Sequence, residues 1–248
     1  MSKTIAIIQA RMGSTRLPGK VMKDLFGKTV LAHDIERVKQ ANTVDEIIIA
    51  TTVSVNDDKI AEEALKYGTK LFRGSEKDVL SRYYFAATEN NADIVVRITS
   101  DCPLIDPKVI DDMVAFFKES NYDIVTNAGN DLTQRTYPRG LDTEIFFTYA
   151  ALQEAHNKAK EMYQREHVTP YIYENAKHIF YYKNDVDYSS HRWTLDTEED
   201  WQLIQKLYKS LYNGKHNFYM AEILAVMDQN PEFFEINKDI EQKKLKGE

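Results

Sequence analysis

From Thr4 to Thr126 the chain alternates two kinds of segment, and this alternation restricts the possible folds more than any other feature. Short β-branched runs recur at Thr4–Gln9, Glu46–Thr52, Lys70–Phe72, Ile94–Ile98 and Tyr122–Thr126. Amphipathic patterns separate them at about Val30–Gln40, Asp57–Tyr67, Asp78–Asn90 and Pro107–Lys118, where Pro107 suits the first turn of a helix. Strands this apolar, spaced by helices, imply right-handed crossovers and a mostly parallel sheet covered on both faces. The second half differs. Helical patterns lie near Tyr149–Lys160 and Glu166–Asn175, "YPRGLDTEIF" and "HIFYYKN" read as strands, and "RWTLDTEED" leads into a helix through Tyr212. The expectation is one α/β domain over 1–248 that adds antiparallel strands over the sheet, with an extension at about 131–185. The Lys-rich end from Lys238 to Glu248 reads as a solvated tail.

At 248 residues, 43% of them hydrophobic, the chain can bury a sizeable core. No apolar run approaches the roughly 20 residues of a membrane span, and the N-terminal residues lack a signal-peptide stretch. A single cysteine, Cys102, excludes an internal disulfide framework and most cysteine-based zinc sites. A net charge of −7 and a pI of about 5.5 argue against a general nucleic-acid binder. A cytoplasmic protein with neither nucleic-acid nor membrane partner is the expectation.

Against that acidic background, Met1 to Lys23 contains no Asp or Glu. In "IAIIQARMGSTRLPGKVM" the first apolar run opens into a loop with Arg11, Arg16 and Lys20, and with Gly13 and Gly19 between them. In a parallel α/β sheet, ligands bind at the carboxyl ends of the strands, which is where this loop begins. It is no P-loop, because Val21 stands where a Ser or Thr should hold magnesium, and no GxGxxG is present. Glycines let the backbone approach an anion, Arg offers a forked contact and Lys a point charge, which together suit a di- or triphosphate. The plainer alternative is a solvated basic loop.

Two aspartates bear on that choice. Asp101 ends an apolar strand in "RITSDCPLIDP", and Asp196 follows a short strand in "RWTLDTEED". Either could be a turn or helix cap, and Glu198, Glu199 and Asp200 read as no more than an acidic first helical turn. Together, facing a cationic loop from separate strand ends, Asp101 and Asp196 form a coherent Mg²⁺–phosphate site. His33 and His156 lie on helical patterns without metal-ligand spacing, and Cys102 has no identifiable catalytic partner. His191, Arg192 and Trp193, just before Asp196, are better candidates. The aromatics Tyr171, Tyr173, Phe180, Tyr181 and Tyr182 could stack a sugar, but packing at a dimer interface is the favoured reading.

Six segments in order, "IQARMGSTRLPGK", "FRGSEKDVLSRYY", "VRITSDCPLIDP", "YPRGLDTEIF", "EHVTPYI" and "RWTLDTEED", resemble the cytidylyltransferases of spore coat polysaccharide biosynthesis protein F type. These are relatives of the CMP-acylneuraminate and CMP-3-deoxy-manno-octulosonate synthetases. The resemblance runs from Ile5 to Asp200. It implies a Rossmann-like nucleotide-diphospho-sugar transferase (GT-A-like) fold, in which a sugar oxygen attacks the α-phosphorus of CTP and pyrophosphate leaves. It further implies that Arg11, Ser14, Arg16 and Lys20, with the backbone of Ala10 and Met12, hold the nucleotide, and that Arg16 and Lys20 stabilise the leaving group. Asp101 and Asp196 would hold Mg²⁺. Arg73, Ser75, Asp78 and Thr99 would contact base, ribose or sugar, and Asp142, Glu144 and His167 the acceptor. A homodimer through Tyr137–Tyr182 is implied as well. The chain departs from the octulosonate enzymes in reading "SDCP" for "GDEP" and Thr99 for a Gln that can read a base edge, so the resemblance carries the transferase class further than cytosine selectivity.

The leading expectation is a CTP-dependent synthetase that activates a sugar acid, in particular a nonulosonic acid. One alternative is transfer to a phosphorylated acceptor. The other is a catalytically silent binding protein, which the paired aspartates disfavour.

Overall fold

The computed structural model describes residues 2–242. Its strands and helices follow in the order β1 (Thr4–Gln9), β2 (Asp24–Leu25), β3 (Lys28–Thr29), α1 (Val30–Val38), β4 (Glu46–Thr52), α2 (Asp58–Lys66), β5 (Lys70–Gly74) and α3 (Val79–Glu89). Next come β6 (Ile94–Thr99), α4 (Pro107–Glu119), β7 (Ile124–Thr126), β8 (Glu144–Phe147), α5 (Gln153–Lys158), α6 (Met162–His167), α7 (Pro170–Asn175) and β9 (Ile179–Tyr181). The described chain closes with α8 (Glu198–Leu211), α9 (Met220–Gln229) and α10 (Glu232–Glu235).

Seven strands form one sheet in the order β5-β4-β1-β6-β8-β7-β9. β5, β4, β1 and β6 are parallel neighbours, and β8 runs antiparallel between β6 and β7. The late segment therefore contributes within the sheet rather than over it. β8 is its antiparallel strand, whereas β9 pairs parallel with β7 at the edge. A separate two-stranded antiparallel sheet joins β2 and β3, where Phe26 and Gly27 take φ of 54° and 84°, the left-handed pair that tight hairpin turns require.

The alternation has the expected cause. Ile5 and Ile7 of β1 pack with Val79, Leu80 and Tyr83 of α3 on one face, while Ala6 and Ile8 meet Leu31, Ile35 and Ile110 of α1 and α4 on the other. Both faces are covered, so the strands are apolar throughout. The α4 helix starts where Asp106 accepts from the Lys108 N–H at 2.8 Å, with Pro107 in the first turn.

Three expectations change. The helix read over Tyr149–Lys160 is a π-helical turn at Thr148–Leu152 followed by α5, and the one over Glu166–Asn175 is α6 and α7 with a break at Val168. The tail is not wholly solvated: Asn237, just before it, is 4% exposed, and Gln242 accepts from Arg192 at 2.7 Å. The rest of that tail, 243–248, lies outside the described residues. His33 is a core residue. Its Nε2–H donates to the Leu25 carbonyl at 2.6 Å, so Nδ1 accepts from the His216 Nε2–H at 2.7 Å. Among the described residues no helix is long and apolar enough to cross a membrane.

Candidate active site

The carboxyl ends of β1, β4 and β6 carry three adjoining loops. The first, after Gln9, is pinned by Asp57. One Asp57 oxygen accepts from the Met12 N–H at 2.8 Å and the other from the Thr52 hydroxyl. The loop folds back on itself through Ser14 N–H (2.8 Å) and Gly19 N–H (3.3 Å) to the Met12 carbonyl. Gly19, at φ 66°, then delivers Lys20 into a short 3₁₀ turn.

Lys20 Nζ donates to Asp101 Oδ2 at 2.8 Å, to Asp196 Oδ1 at 2.8 Å and to the Leu195 carbonyl at 2.7 Å. Arg16 reaches the other Asp196 oxygen at 3.0 Å. The sequence-predicted cationic loop and both aspartates thus meet at one point. Burial alone would raise the Asp101 carboxyl, but the Lys20 ammonium beside it outweighs burial and holds it down to about 2. Burial likewise disfavours the Lys20 charge, and Asp101 and Asp196 more than reverse that. Asp34 of α1 is fully buried and among the described residues neither of its oxygens has a hydrogen-bond partner; burial and then the Asp101 charge push its pKa well up.

Backbone pairing explains how distant segments converge. The Leu195 N–H (2.8 Å) and the Thr194 hydroxyl (3.2 Å) donate to the Asp101 carbonyl. Arg139 pairs in parallel with Arg192, through Arg139 N–H to His191 O at 3.0 Å and Trp193 N–H to Arg139 O at 2.7 Å. Gly140 sits at φ 100° so close that a Cβ would lie 2.5 Å from the Trp193 carbonyl carbon. The "YPRGLD" and "RWTLD" segments are thereby locked side by side.

Arg192 proves to be part of the site. Its guanidinium bonds Asp196 Oδ2 at 2.9 Å and Asp200 at 2.9 and 3.1 Å. Asp200 is more than a helix-start acid: it is fully buried, accepts from the Asp196 and Thr197 N–H groups at 2.9 and 3.0 Å, and is held by Asn237 at 2.8 Å. Its place just before Asp196 made Arg192 a candidate in the sequence, whereas nothing in sequence pattern pointed to Asp57 or Asn237. Trp193 is core, and its indole N–H has no hydrogen-bond partner among the described residues.

The remaining expected residues serve their own neighbourhoods. Arg73 donates to the Thr52 and Ser54 carbonyls at 2.8 Å each and pairs with Asp58. Asp78 caps α3 through Ser81 N–H at 2.9 Å and pairs with Arg165, while the Ser75 hydroxyl accepts from Asp78 N–H at 3.1 Å. Thr99 lies 3.4 Å from the Cys102 sulfur, Ser14 accepts from Leu17 N–H at 3.3 Å, Ala10 is buried and Arg11 is exposed. Asp142 pairs with Arg135 at 2.5 Å. The Glu144 carboxylate is buried and taken up by Arg97, by Thr169 at 3.0 Å and by Tyr173 at 2.5 Å, so any part it has in acceptor binding passes through these partners. His167 ends α6, half-buried.

A basic loop at the edge of a parallel sheet, facing two carboxylates, is suited to nucleotide phosphates, and comparison with known proteins decides the family. The sequence pattern described as cytidylyltransferase matches residues 5–244. The chain belongs to the cytidylyltransferase family. This cytidylyltransferase is 40% identical over 246 residues to an uncharacterized protein of Methanocaldococcus jannaschii, covering 97% of each chain. It is 31% identical to the spore coat polysaccharide biosynthesis protein SpsF of Bacillus subtilis, over 94% of this chain and 97% of that one. A cytidylyltransferase structure from Leptospira borgpetersenii superposes with a TM-score of 0.88 at 36% identity, over 98% of this chain and 100% of that one. The chain is a nucleotidyltransferase with the nucleotide-diphospho-sugar transferase architecture of its relatives.

The donor set also suits a hard divalent cation. Asp101 Oδ2, Asp196 Oδ1 and the Leu195 carbonyl already converge on an ammonium, and oxygen donors of this kind are what Mg²⁺ takes. Among the described residues no group of three or more His, Cys, Asp or Glu could hold a metal, so a bound Mg²⁺ would complete its shell from phosphate and water.

Proposed function

We propose that this cytidylyltransferase couples CTP to a sugar acid, specifically a nonulosonic acid, releasing pyrophosphate and forming a CMP-sugar for surface polysaccharide or glycoprotein synthesis in the cytoplasm. The observation that carries the proposal is the meeting of Lys20 and Arg16 with Asp101 and Asp196 at the sheet edge. Attack on the α-phosphorus builds charge on the entering, equatorial and leaving oxygens, so positioned charge is the main catalytic requirement. Arg16 and Lys20 bind the β- and γ-phosphates and hold pyrophosphate as it departs. Asp101 and Asp196 would hold Mg²⁺, which would supply Lewis acidity. Arg192 and Asp200 fix the Asp196 carboxylate in place.

The acceptor's own charge is met by Arg139. Arg135 and Arg192 have carboxylate partners, whereas the half-buried Arg139 guanidinium has no hydrogen bond or ion pair among the described residues. Burial, then repulsion from Arg135, lowers its pKa. An acceptor carboxylate relieves both. The family resemblance supports assigning Asp142 and His167 to the same half, with two copies associating through 137–182.

The test is a screen of nucleoside triphosphates against sugar acids and sugar phosphates, scored by Mg²⁺-dependent pyrophosphate release. Release with CTP and a nonulosonic acid is expected. Release confined to sugar phosphates, or to another nucleotide, would refute the substrate assignment.

A further inference from the structure

Among the described residues, Val168 is the only β-branched residue at positive φ, at 71° with ψ −60°. Those angles are those of the γ-turn that L-residues find strained, and β-branching worsens the strain. The turn is closed by Thr169 N–H on the His167 carbonyl at 2.8 Å. The next residue is also held against preference: Thr169 is helical (φ −90°, ψ −14°) although Pro170 follows and disfavours that region. Val168 is fully buried in the cluster that holds Leu152, Ala155 and Ile172. Strain of this kind persists only where the surroundings over-determine it, and it concentrates at functional sites.

The consequence of the turn is the direction of Thr169. Its hydroxyl donates to Glu144 Oε1 at 3.0 Å, and Tyr173, one helical turn further on, donates to the same oxygen at 2.5 Å. The other Glu144 oxygen holds Arg97, whose NH2 is 3.4 Å from Gln9 Oε1. Gln9 is the residue from which the cationic loop departs. With Val168 at negative φ the chain would enter α7 in another direction, and Thr169 would face elsewhere.

We propose that the positive-φ turn at Val168 is a positioning element: it directs the Thr169 hydroxyl onto Glu144 and so sets the Glu144–Arg97 pair beside the acceptor half of the site. Only the word "acceptor" rests on the CMP-sugar reading; the positioning itself does not.

Two substitutions isolate strain from packing. Val168→Ala and Val168→Gly both remove the valine's packing, but only glycine relaxes the turn. At ordinary positions alanine is the more stable of the two. Here Val168→Gly is expected to have the higher urea midpoint. Adding Thr169→Val should lower the midpoint by a similar amount in both backgrounds, because alanine and glycine both keep the turn that aims the hydroxyl. Thr169→Val in the Val168→Gly background should also raise the acceptor KM about threefold or more over Val168→Gly alone, with the CTP KM unchanged within about twofold. A more stable Val168→Ala, a Thr169→Val shift in neither background, or a KM rise shared equally with CTP would each overturn the proposal. Wild-type protein that turns over no sugar acid would refute the substrate reading alone, since the stability comparison needs no substrate.

Discussion

Replacing Gly140 by alanine tests whether the two site-bearing segments are locked as described. The new Cβ would sit 2.5 Å from the Trp193 carbonyl carbon and 2.7 Å from both Thr194 N and Trp193 O, all backbone atoms. That backbone cannot easily yield, because Trp193 is fully buried and its N–H is bonded to Arg139 O at 2.7 Å. The left-handed φ of 100° adds a conformational penalty. Overpacking of about 1–3 kcal/mol and backbone strain of similar size sum to roughly 2–6 kcal/mol. At about 2–4 °C per kcal/mol for a chain of this size, Tm should fall by at least roughly 4 °C. Gly27→Ala is the control, since Gly27 has φ 84° but nothing within 4 Å of a Cβ. It carries the conformational term without the contact. Thermal unfolding by circular dichroism of both variants checks the reasoning, and a Gly140→Ala midpoint within about 2 °C of the Gly27→Ala midpoint would refute it.

Arg16→Ala and Lys20→Ala should each weaken CTP binding by on the order of 1.5–3 kcal/mol in calorimetry and slow turnover. The two should differ in stability: the Lys20 side chain is 12% exposed and neutralises half-buried Asp101 and buried Asp196, so its loss destabilises the fold, whereas Arg16, 37% exposed, should leave Tm unchanged. Burial holds His33 neutral, with its pKa down to about 4 from 6.5, so the unfolded chain takes up a proton that the native one refuses. Stability should therefore fall as pH drops from about 6.5 through 4, by up to about 3 kcal/mol, and His33→Gln should flatten that part of the urea-midpoint profile. Light scattering should give the mass of a dimer, and fully active monomer would refute association through 137–182.

The alternation from Thr4 to Thr126 was legible because strands buried on both faces and helices buried on one leave different periods in the sequence. The loop with Arg16 and Lys20 was legible because a run without acids stands out in an acidic chain. Asp101 and Asp196 were legible because each closes an apolar strand. What sequence could not supply was pairing at long range. Glu144 read as an acceptor contact, and its commitment to Arg97, Thr169 and Tyr173 depends on β8 inserting between β6 and β7. Asp200 read as a helix-start acid, and its second role needed Arg192 and Asn237 brought to the same place. The break at Val168 ran against helical periodicity, but Pro170, which opens α7 in its first turn, was a local signal for it.

The most direct measurement of the central claim is pyrophosphate release by Asp101→Asn and Asp196→Asn at saturating Mg²⁺, CTP and sugar acid, alongside their thermal unfolding. Each variant should remain folded and lose turnover to background, because each removes one of the two carboxylates that converge with Lys20 at the sheet edge. Near-normal turnover in either would contradict the site.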